Sequence, residues 1–180
     1  MNIYVFEKDI SIAKNDVLFN NHLDRELFKF SLEQPYCDMS DGFSITTCSD
    51  DRMFEIIDSK GYMKEWLQYT LIKYKKYLGQ DYKGHECLRS WCNRTFNQCK
   101  VNPHDHGYMD IEEGYEIIVV ILYYHVSGEC NLTFCENDQL TDLQLSDGMS
   151  VIHDHDLTHF VSDDTSDVRT CFVFDIKMKL

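Results

Sequence analysis

The chain has 180 residues, of which 43% are hydrophobic and 13% aromatic, a composition typical of a compact globular protein and not of a disordered chain. Its formal net charge is −14 and no basic patch stands out, so nucleic acid is not an expected partner. The sequence contains neither an apolar run of about 18 residues nor a signal-peptide core, which predicts a soluble cytoplasmic protein without membrane contact.

The N-terminal part of the sequence predicts a strand, a helix and a loop. Residues 2–7 alternate as a short strand does, and residues 20–34 place leucine and phenylalanine at helical intervals. Asn20 and Asn21 are candidate caps for that helix. Residues 35–50 contain proline, glycine, serine and aspartate, which favours a loop.

A second helical pattern extends over residues 51–78, with a predicted break near Gly61 and a stop at Gly79. One stripe of this pattern is apolar: Met63, Leu67, Leu71, Tyr74 and Leu78. Such a stripe is typical of a helix that packs on a sheet, and we assign it no cofactor.

After residue 86 the hydrophobic pattern changes to short β-rich runs separated by Gly, Asp, Asn and Ser. Seven or eight such strands predict a mainly β protein with N-terminal helices, whose core is a double-stranded β-helix (a jelly roll, cupin-like). The long apolar run 115–126 would be a strand that is buried on both faces. We therefore expect one domain over residues 1–180, with residues 1–86 supporting a core formed by residues 87–180.

The eight cysteines favour reduced thiols. No pair has the CxxC spacing of a zinc knuckle, and the secretory context that disulfides require is not indicated. Ala13 is the only alanine, while Asn, Asp, Lys, Ile and Tyr abound, which favours an AT-rich genome such as that of a virus or phage. The compartment would then be the host cytoplasm.

Two His-Asp-His triplets occur, at residues 104–106 and 153–155. Side chains alternate along a strand, so His104 and His106 would project together while Asp105 turns away. Two adjacent imidazoles are a suitable start for a metal site, and a third ligand must come from elsewhere in the chain. The candidates are His125, His153, His155 and His159.

His159 is favoured because Arg169 follows it by ten residues, at the start of the apolar run "RTCFVFDI". Arginine stays charged, so a buried one requires an anionic partner, and its guanidinium suits a carboxylate. A metal with open positions and a cation behind it would accommodate a small dicarboxylate cosubstrate. In contrast, we expect His153 and His155 to lie in a solvated turn and His125 to face water at a strand end.

The segments "SWCNRTFNQCKVNPHDHG", "ILYYHVSGECNLTFCE" and "LSDGMSVIHDHDLTHFVSDDTSDVRTCFVFDI" together resemble the double-stranded β-helix of 2-oxoglutarate/Fe(II)-dependent oxygenases. The resemblance covers residues 87–178, about half of the chain, and is strongest to the small branch found in phages and bacteria. That family usually has HxD or HxE as its first motif, which completes a facial triad of two histidines and one carboxylate. This chain has His106 at the carboxylate position.

The resemblance implies that His104 and His159 bind Fe(II), with His106 as the third ligand by register, or Asp105 if a bulge turns it inward. It implies that Arg169 binds the C5 carboxylate of 2-oxoglutarate, assisted by the hydroxyl of Tyr123 or Tyr124. Two further residues would point into the cavity: Trp91 and Asn93. The implied reaction consumes O2 and 2-oxoglutarate, releases succinate and CO2, and hydroxylates a protein side chain or a small molecule. A homodimer is also possible in such a fold.

Two alternatives stay open on the residues alone. A cupin-type dioxygenase would need no 2-oxoglutarate and could use Glu112 as a fourth ligand, and histidine ligands also suit Zn, Ni or Cu. A non-catalytic jelly-roll module, for binding or for a virion, would hold no metal. Arg169 distinguishes the first hypothesis from the cupin alternative, because only the 2-oxoglutarate oxygenase requires a cation behind the metal.

Overall fold

The computed structural model describes residues 2–33, 40–41, 44–47, 52–107 and 111–180. The helices in these ranges are α1 Ser11–Asn15, α2 Val17–Glu33, α3 Arg52–Ile57 and α4 Tyr62–Tyr77. The strands are β1 Ile3–Glu7, β2 Ser40–Asp41, β3 Ser44–Thr46, β4 His85–Phe96, β5 Lys100–His104, β6 Tyr115–Val126, β7 Cys130–Glu136, β8 Gln139–Gln144, β9 Met149–Asp154, β10 Thr158–Asp164 and β11 Val168–Lys179. None of the helices described is long and apolar enough to cross a membrane.

The strands form two antiparallel sheets. A six-stranded sheet has the order β1-β9-β6-β11-β4-β3, and a five-stranded sheet has the order β2-β5-β10-β7-β8. The eight strands from β4 onward are shared equally between them: β4, β6, β9 and β11 lie in the first sheet, and β5, β7, β8 and β10 lie in the second. This arrangement is the mainly β, jelly-roll core that the sequence predicts, and that prediction is confirmed.

Strand β6 lies between β9 and β11 in the middle of the six-stranded sheet. Its alternate side chains belong to two different cores: Ile118, Val120, Leu122 and Tyr124 face the helices, whereas Val119, Ile121 and Tyr123 face the second sheet. The prediction that residues 115–126 are buried on both faces is therefore confirmed. A strand that has apolar neighbours on both faces needs a continuous apolar sequence.

Helices α2 and α4 cover the outer face of the six-stranded sheet. Four residues of the predicted stripe, Met63, Leu67, Leu71 and Tyr74, are buried in the helix-facing core, and Leu78 packs against that core just after α4 ends. Trp66 from the same helix donates a 2.7 Å hydrogen bond to the hydroxyl of Ser150. Gly61 precedes α4 in the left-handed conformation, with φ of 73°, which breaks the helical segment at the predicted position. The helices thus fix one face of the sheet, and its other face is available for a site.

Two predictions about the N-terminal part were wrong in detail. The segment assigned to a loop contains β2 and β3, while most of the remainder of 35–50 lies outside the described residues. Helix α2 begins at Val17, before the predicted caps, because the Asp16 carboxylate accepts a 3.0 Å hydrogen bond from the Phe19 amide. Since Val17 and Leu18 are exposed, the apolar pattern starts later than the helix.

No disulfide joins the six cysteines within the described ranges to one another, and four of them are buried: Cys92, Cys99, Cys130 and Cys171. They pack as small apolar side chains. Cys37 and Cys48 lie outside the described residues.

Candidate metal centre

The five-stranded sheet brings three histidines together. His104 is the last residue of β5 and lies directly opposite His159 of β10. His106 follows two residues later, and its amide donates a 2.9 Å hydrogen bond to the carbonyl of His155. His104, His106 and His159 each offer a ligand nitrogen, and these atoms all lie within 4.8 Å of one another. The three residues predicted as metal ligands are thus neighbours in the fold.

Backbone carbonyls orient two of these rings. The Nδ1 atom of His104 lies 2.8 Å from the carbonyl oxygen of Asn102, and that of His159 lies 3.1 Å from the carbonyl oxygen of Leu157. A carbonyl only accepts hydrogen bonds, so in both rings Nδ1 carries the hydrogen and Nε2 carries the lone pair. Each Nε2 is therefore available to a cation.

The third ring is oriented by a carboxylate. The Nδ1 atom of His106 donates to Oδ1 of Asp175 at 2.5 Å, and Arg89 Nε donates to Oδ2 of the same carboxylate at 2.7 Å. The Nε2 atom of His106 is buried and has no hydrogen-bond partner among the residues described. A buried acceptor without a partner is costly in an apo protein, and it is what a metal ligand would present.

Burial controls the charge of the cluster. Desolvation lowers the pKa of His104, and it lowers the pKa of His159 well below its ordinary value. Burial would raise the pKa of Asp175, but the hydrogen bond from His106 and the charge and hydrogen bond of Arg89 outweigh it, so the pKa lies below its usual value. At neutral pH, His104 and His159 are thus neutral, as metal ligation requires, and the carboxylate is ionised.

A cavity of about 380 Å³ lies between the sheets and includes the three histidines in its lining. Arg169 also lines it, is only 3% exposed, and donates a 3.1 Å hydrogen bond from Nη1 to the Cys130 sulfur. Thr95, directly opposite Arg169 on β4, has a buried hydroxyl oxygen without a hydrogen-bond partner in the described part of the chain. The same cavity is therefore lined by the histidine cluster and by a permanent positive charge.

The side chains of the neighbouring tyrosines of β6 lie on opposite faces of the six-stranded sheet. Tyr123 lines the cavity. Tyr124 points to the helices, where its hydroxyl donates to the Asn20 side chain at 2.6 Å and to the Ala13 carbonyl at 3.1 Å. The prediction of Tyr124 as a cosubstrate residue is therefore corrected, because strand alternation places it on the opposite face from the cavity.

Trp91 and Asn93 both line the cavity. The Trp91 ring lies 5.4 Å from the His106 ring, and the Arg89 guanidinium lies 5.8 Å from the Trp91 ring centre. Asn93 is adjacent to Cys171 across the sheet, and its Oδ1 atom is buried with no partner among the described residues. Both side chains lie where the sequence interpretation expected them.

The expectation that the second triplet lies in a solvated turn was wrong: His155 is buried, and so is His153. This residue lies in β9, is 1% exposed, and has its ring 4.5 Å from the His159 ring. Its Nδ1 contacts the Asp154 carbonyl at 2.9 Å, and its buried Nε2 has no hydrogen-bond partner in the described ranges. Burial lowers the pKa of His153 to about 3. The available signal was alternation with Val151, which places both side chains on the inner face.

Three further candidates lie outside the cluster. Glu112 is exposed and forms a 2.6 Å ion pair with Lys177, so it is not placed as a fourth ligand. His125 is partly exposed and contacts the Lys14 ammonium at 2.9 Å. Asp105 is exposed at the rim of the cavity, while His106 turns inward.

Sequence reasoning missed Asp175 and Arg89. The signal for Asp175 was an acidic residue within the apolar run of β11, at an even spacing from Arg169 and hence on the same face. Its exposed fraction is 0%. A charge buried in a strand requires a specific partner, and the partner could have been sought among the inward-facing histidines.

No protein-family model matches this chain, and no curated protein matches it by sequence. Solved structures do match it. A viral collagen prolyl hydroxylase from Paramecium bursaria Chlorella virus-1, in a 2OG complex, matches with a TM-score of 0.60 at 14% identity. The match covers 99% of this chain and 97% of the hydroxylase chain. A Pseudomonas putida prolyl-4-hydroxylase matches with a TM-score of 0.53 at 12% identity, over 99% of this chain and 93% of the prolyl-4-hydroxylase chain.

A further match is AviO1 from Streptomyces viridochromogenes Tue57, with a TM-score of 0.61 at 11% identity over 97% of this chain and 88% of its own. The chain has the fold of the 2-oxoglutarate/Fe(II) oxygenases. The predicted resemblance is confirmed at the level of the fold. These identities do not transfer a substrate or a reaction, which must be argued from the site.

Proposed function

We propose that this protein is an Fe(II)- and 2-oxoglutarate-dependent dioxygenase that hydroxylates a protein side chain or a small molecule. One observation carries the proposal: the cluster of His104, His106 and His159 shares a cavity with the buried guanidinium of Arg169. A cation site and a fixed positive charge in one cavity suit a ligand that chelates a metal at one end and carries a carboxylate at the other.

The histidine cluster has the chemistry that a divalent transition metal needs. Three imidazoles converge, two have Nδ1 held by backbone carbonyls, and His106 presents a buried nitrogen that has no partner in the described part of the chain. Imidazole nitrogens accept iron as well as zinc, copper or nickel, and the choice of iron rests on the shared fold. When bound, iron would supply the activation of O2 for oxidation of the cosubstrate and of the substrate.

Arg169 would hold the far carboxylate of 2-oxoglutarate. Its side chain is 3% exposed, and a guanidinium forms two parallel hydrogen bonds with a carboxylate. Tyr123 lines the same cavity and could donate a further hydrogen bond. Because Arg169 cannot lose its charge, it would select an anionic cosubstrate at any pH at which the protein is folded.

Apolar side chains between these two ends would keep the reaction space dry. They come from both sheets: Val101, Leu132 and Val161 from the five-stranded sheet, and Ile121 and Val173 from the six-stranded sheet. Exclusion of water strengthens the interaction of Arg169 with a carboxylate, since the effective dielectric constant falls.

The primary substrate is proposed from charge and from the similar structures. The net charge of −14 would attract a basic peptide or protein. Two of the similar solved structures are prolyl hydroxylases, so proline-containing basic peptides are the first substrates to test.

The decisive experiment adds Fe(II) and 2-oxoglutarate to the purified protein without oxygen and records the visible spectrum. We expect a charge-transfer band, followed by succinate production when air is admitted. Folded protein that gives neither the band nor succinate would contradict the proposal.

A variant of Arg169 tests the cosubstrate site separately from the metal. Arg169→Met keeps most of the side-chain volume and removes the charge, so it should weaken 2-oxoglutarate binding on the order of 100-fold. Metal affinity should change little. Equal loss of metal and cosubstrate binding would show that Arg169 does not have this specific role.

The neighbouring tyrosines provide a matched pair for the same titration. Tyr123→Phe should weaken 2-oxoglutarate binding on the order of tenfold, the effect of one hydrogen bond to a charged group. Tyr124→Phe should leave this affinity unchanged and lower the free energy of unfolding by about 1 kcal/mol, since its hydroxyl bonds lie on the helix side. Equal effects on cosubstrate affinity would contradict the assignment.

A second candidate is a metal-dependent dioxygenase that uses no 2-oxoglutarate, and the all-histidine cluster favours it. It would bind Fe(II) and consume O2 with a substrate such as a thiol. Its expected result in the spectral experiment is metal binding without the 2-oxoglutarate band, and Arg169→Met would then leave turnover intact.

A further inference from the structure

A buried carboxylate stands behind one of the three histidines. Asp175 lies in the middle of β11 with an exposed fraction of 0%, on the same face of the strand as Arg169. Across the sheet its neighbours are Arg89 on β4 and Val119 on β6. Strand β11 thus contributes two charges of opposite sign to the interior, six residues or about 20 Å apart.

Asp175, His106 and Arg89 contact one another. One carboxylate oxygen accepts from His106 Nδ1 at 2.5 Å and the other accepts from Arg89 Nε at 2.7 Å, while Arg89 Nη2 donates to the His106 carbonyl at 3.1 Å. The Arg89 side chain is 40% exposed, so solvent screens its charge next to the carboxylate. The buried side of the carboxylate faces the imidazole.

The three histidines differ in what holds Nδ1. His104 and His159 donate to neutral backbone carbonyls, whereas His106 donates to a carboxylate. His106 also occupies the sequence position at which the HxD and HxE motifs provide an anionic ligand. A set of three neutral imidazoles gives a dication no negative charge from its direct ligands, and the only carboxylate hydrogen-bonded to the set within the described residues is that of Asp175.

We propose that Asp175 is a positioning residue of the metal centre, which supplies through the His106 imidazole the negative charge that a carboxylate ligand would place on the metal. It fixes the hydrogen on Nδ1, directs the Nε2 lone pair to the metal, and makes that nitrogen a better donor. The inference rests on the proposed metal centre, but not on 2-oxoglutarate or on turnover.

The test is a titration of the metal-free whole protein with Co(II) alone, followed by visible absorption. Asp175→Asn retains an oxygen that can accept from His106 and removes the charge. It should weaken Co(II) binding by about 10- to 100-fold and shift the absorption bands. Glu116→Gln is the matched control, because Glu116 pairs with the buried Lys75 at 2.6 Å outside the cluster and should leave the Co(II) spectrum unchanged.

A double variant separates charge supply from simple support of the fold. His106→Asp alone would place two carboxylates side by side, whereas His106→Asp combined with Asp175→Asn restores one charge next to the metal. The double variant should therefore bind Co(II) more tightly than either single variant. Additive losses would assign Asp175 to packing and overturn the inference.

A measurement on the unaltered protein covers the case in which Asp175→Asn does not fold. In the Zn(II)-loaded protein with ¹⁵N-labelled histidine, the Nδ1–H proton of His106 should resonate downfield of those of His104 and His159. Three similar resonances, or an Asp175→Asn protein whose Co(II) affinity and spectrum equal those of the wild type, would overturn the role of Asp175. If the unaltered protein binds Co(II) as expected but forms no succinate with Fe(II) and 2-oxoglutarate, the proposed function is contradicted and the role of Asp175 stands.

Discussion

The two His-Asp-His triplets have the same letters and different surroundings. In residues 104–106 both imidazoles contribute to the histidine cluster, and Asp105 is exposed at the rim. In residues 153–155 the His153 ring lies beside the cluster, 4.5 Å from that of His159. The triplets are joined by the hydrogen bond from the His106 amide to the His155 carbonyl.

The difference arises from where each triplet lies relative to a strand end. His104 ends β5, and the chain then turns so that His106 also faces the cavity. His153 and Asp154 end β9, and the following turn carries the chain toward β10 and His159. The two histidines of such a triplet thus belong to one cluster only where both rings face the same cavity.

The largest expected effect comes from the first triplet. His104→Ala removes one of three converging nitrogens. Loss of a residue that only hydrogen-bonds to a metal ligand lowers metal affinity by up to roughly 100-fold, so the loss of a ligand itself should lower it further. Equilibrium dialysis with Co(II) would measure it. His125→Ala is the control, because that partly exposed histidine lies outside the cluster and its loss should not change the affinity. Similar affinities for the two variants would remove the distinction between the triplets.

A smaller effect is expected at His153, and it concerns stability. Unfolded histidine has a pKa of about 6.5, and the folded pKa of His153 is about 3. Between these values the unfolded state binds a proton that the folded state does not, so the free energy of unfolding falls as the pH falls through this window. At pH 5 this one group should cost about 2 kcal/mol relative to pH 7.

His153→Phe should weaken that pH dependence and retain most of the metal affinity. Phenylalanine does not titrate, and it removes a buried acceptor beside Phe134 that has no hydrogen-bond partner among the residues described. Urea unfolding of the metal-free protein at pH 7 and pH 5 would measure both effects. A pH dependence equal to that of the wild type, or loss of metal binding as large as in His104→Ala, would show that His153 has been misassigned.

The smallest effect on the metal is expected at His155. Its carbonyl accepts the hydrogen bond from His106, and alanine keeps that carbonyl. His155→Ala should therefore change Co(II) affinity by no more than about threefold. A loss approaching that of His104→Ala would mean that the second triplet contributes a ligand after all.

The pattern of the sequence predicted several features because local periodicity and spacing carry them. The run 115–126 identified a strand buried on both faces, and the α4 stripe identified the face that covers the sheet. His104, His106 and His159 could be selected by strand alternation and by the spacing to Arg169. These signals depend on side-chain direction along a single element, which the order of residues specifies.

Other features depended on which strands become neighbours. Tyr123 and Tyr124 are equivalent in the sequence, and only the position of β6 between the helices and the second sheet separates them. His153 was expected in water because the segment around it is polar. Burial depends on what packs over a residue, which its own segment does not specify.

By itself, the sequence determined the jelly-roll class, the alternation that points His104 and His106 in the same direction, and the ten-residue spacing between His159 and Arg169. Each of these is a property of periodicity or spacing along the chain. Only the tertiary structure decided that Asp175 lies behind His106 and that the His153 ring lies beside the cluster. Residues 106 and 175 are far apart in sequence, and the hydrogen bond between them exists because antiparallel pairing brings β11 beside β4 and closes the two sheets over a common interior.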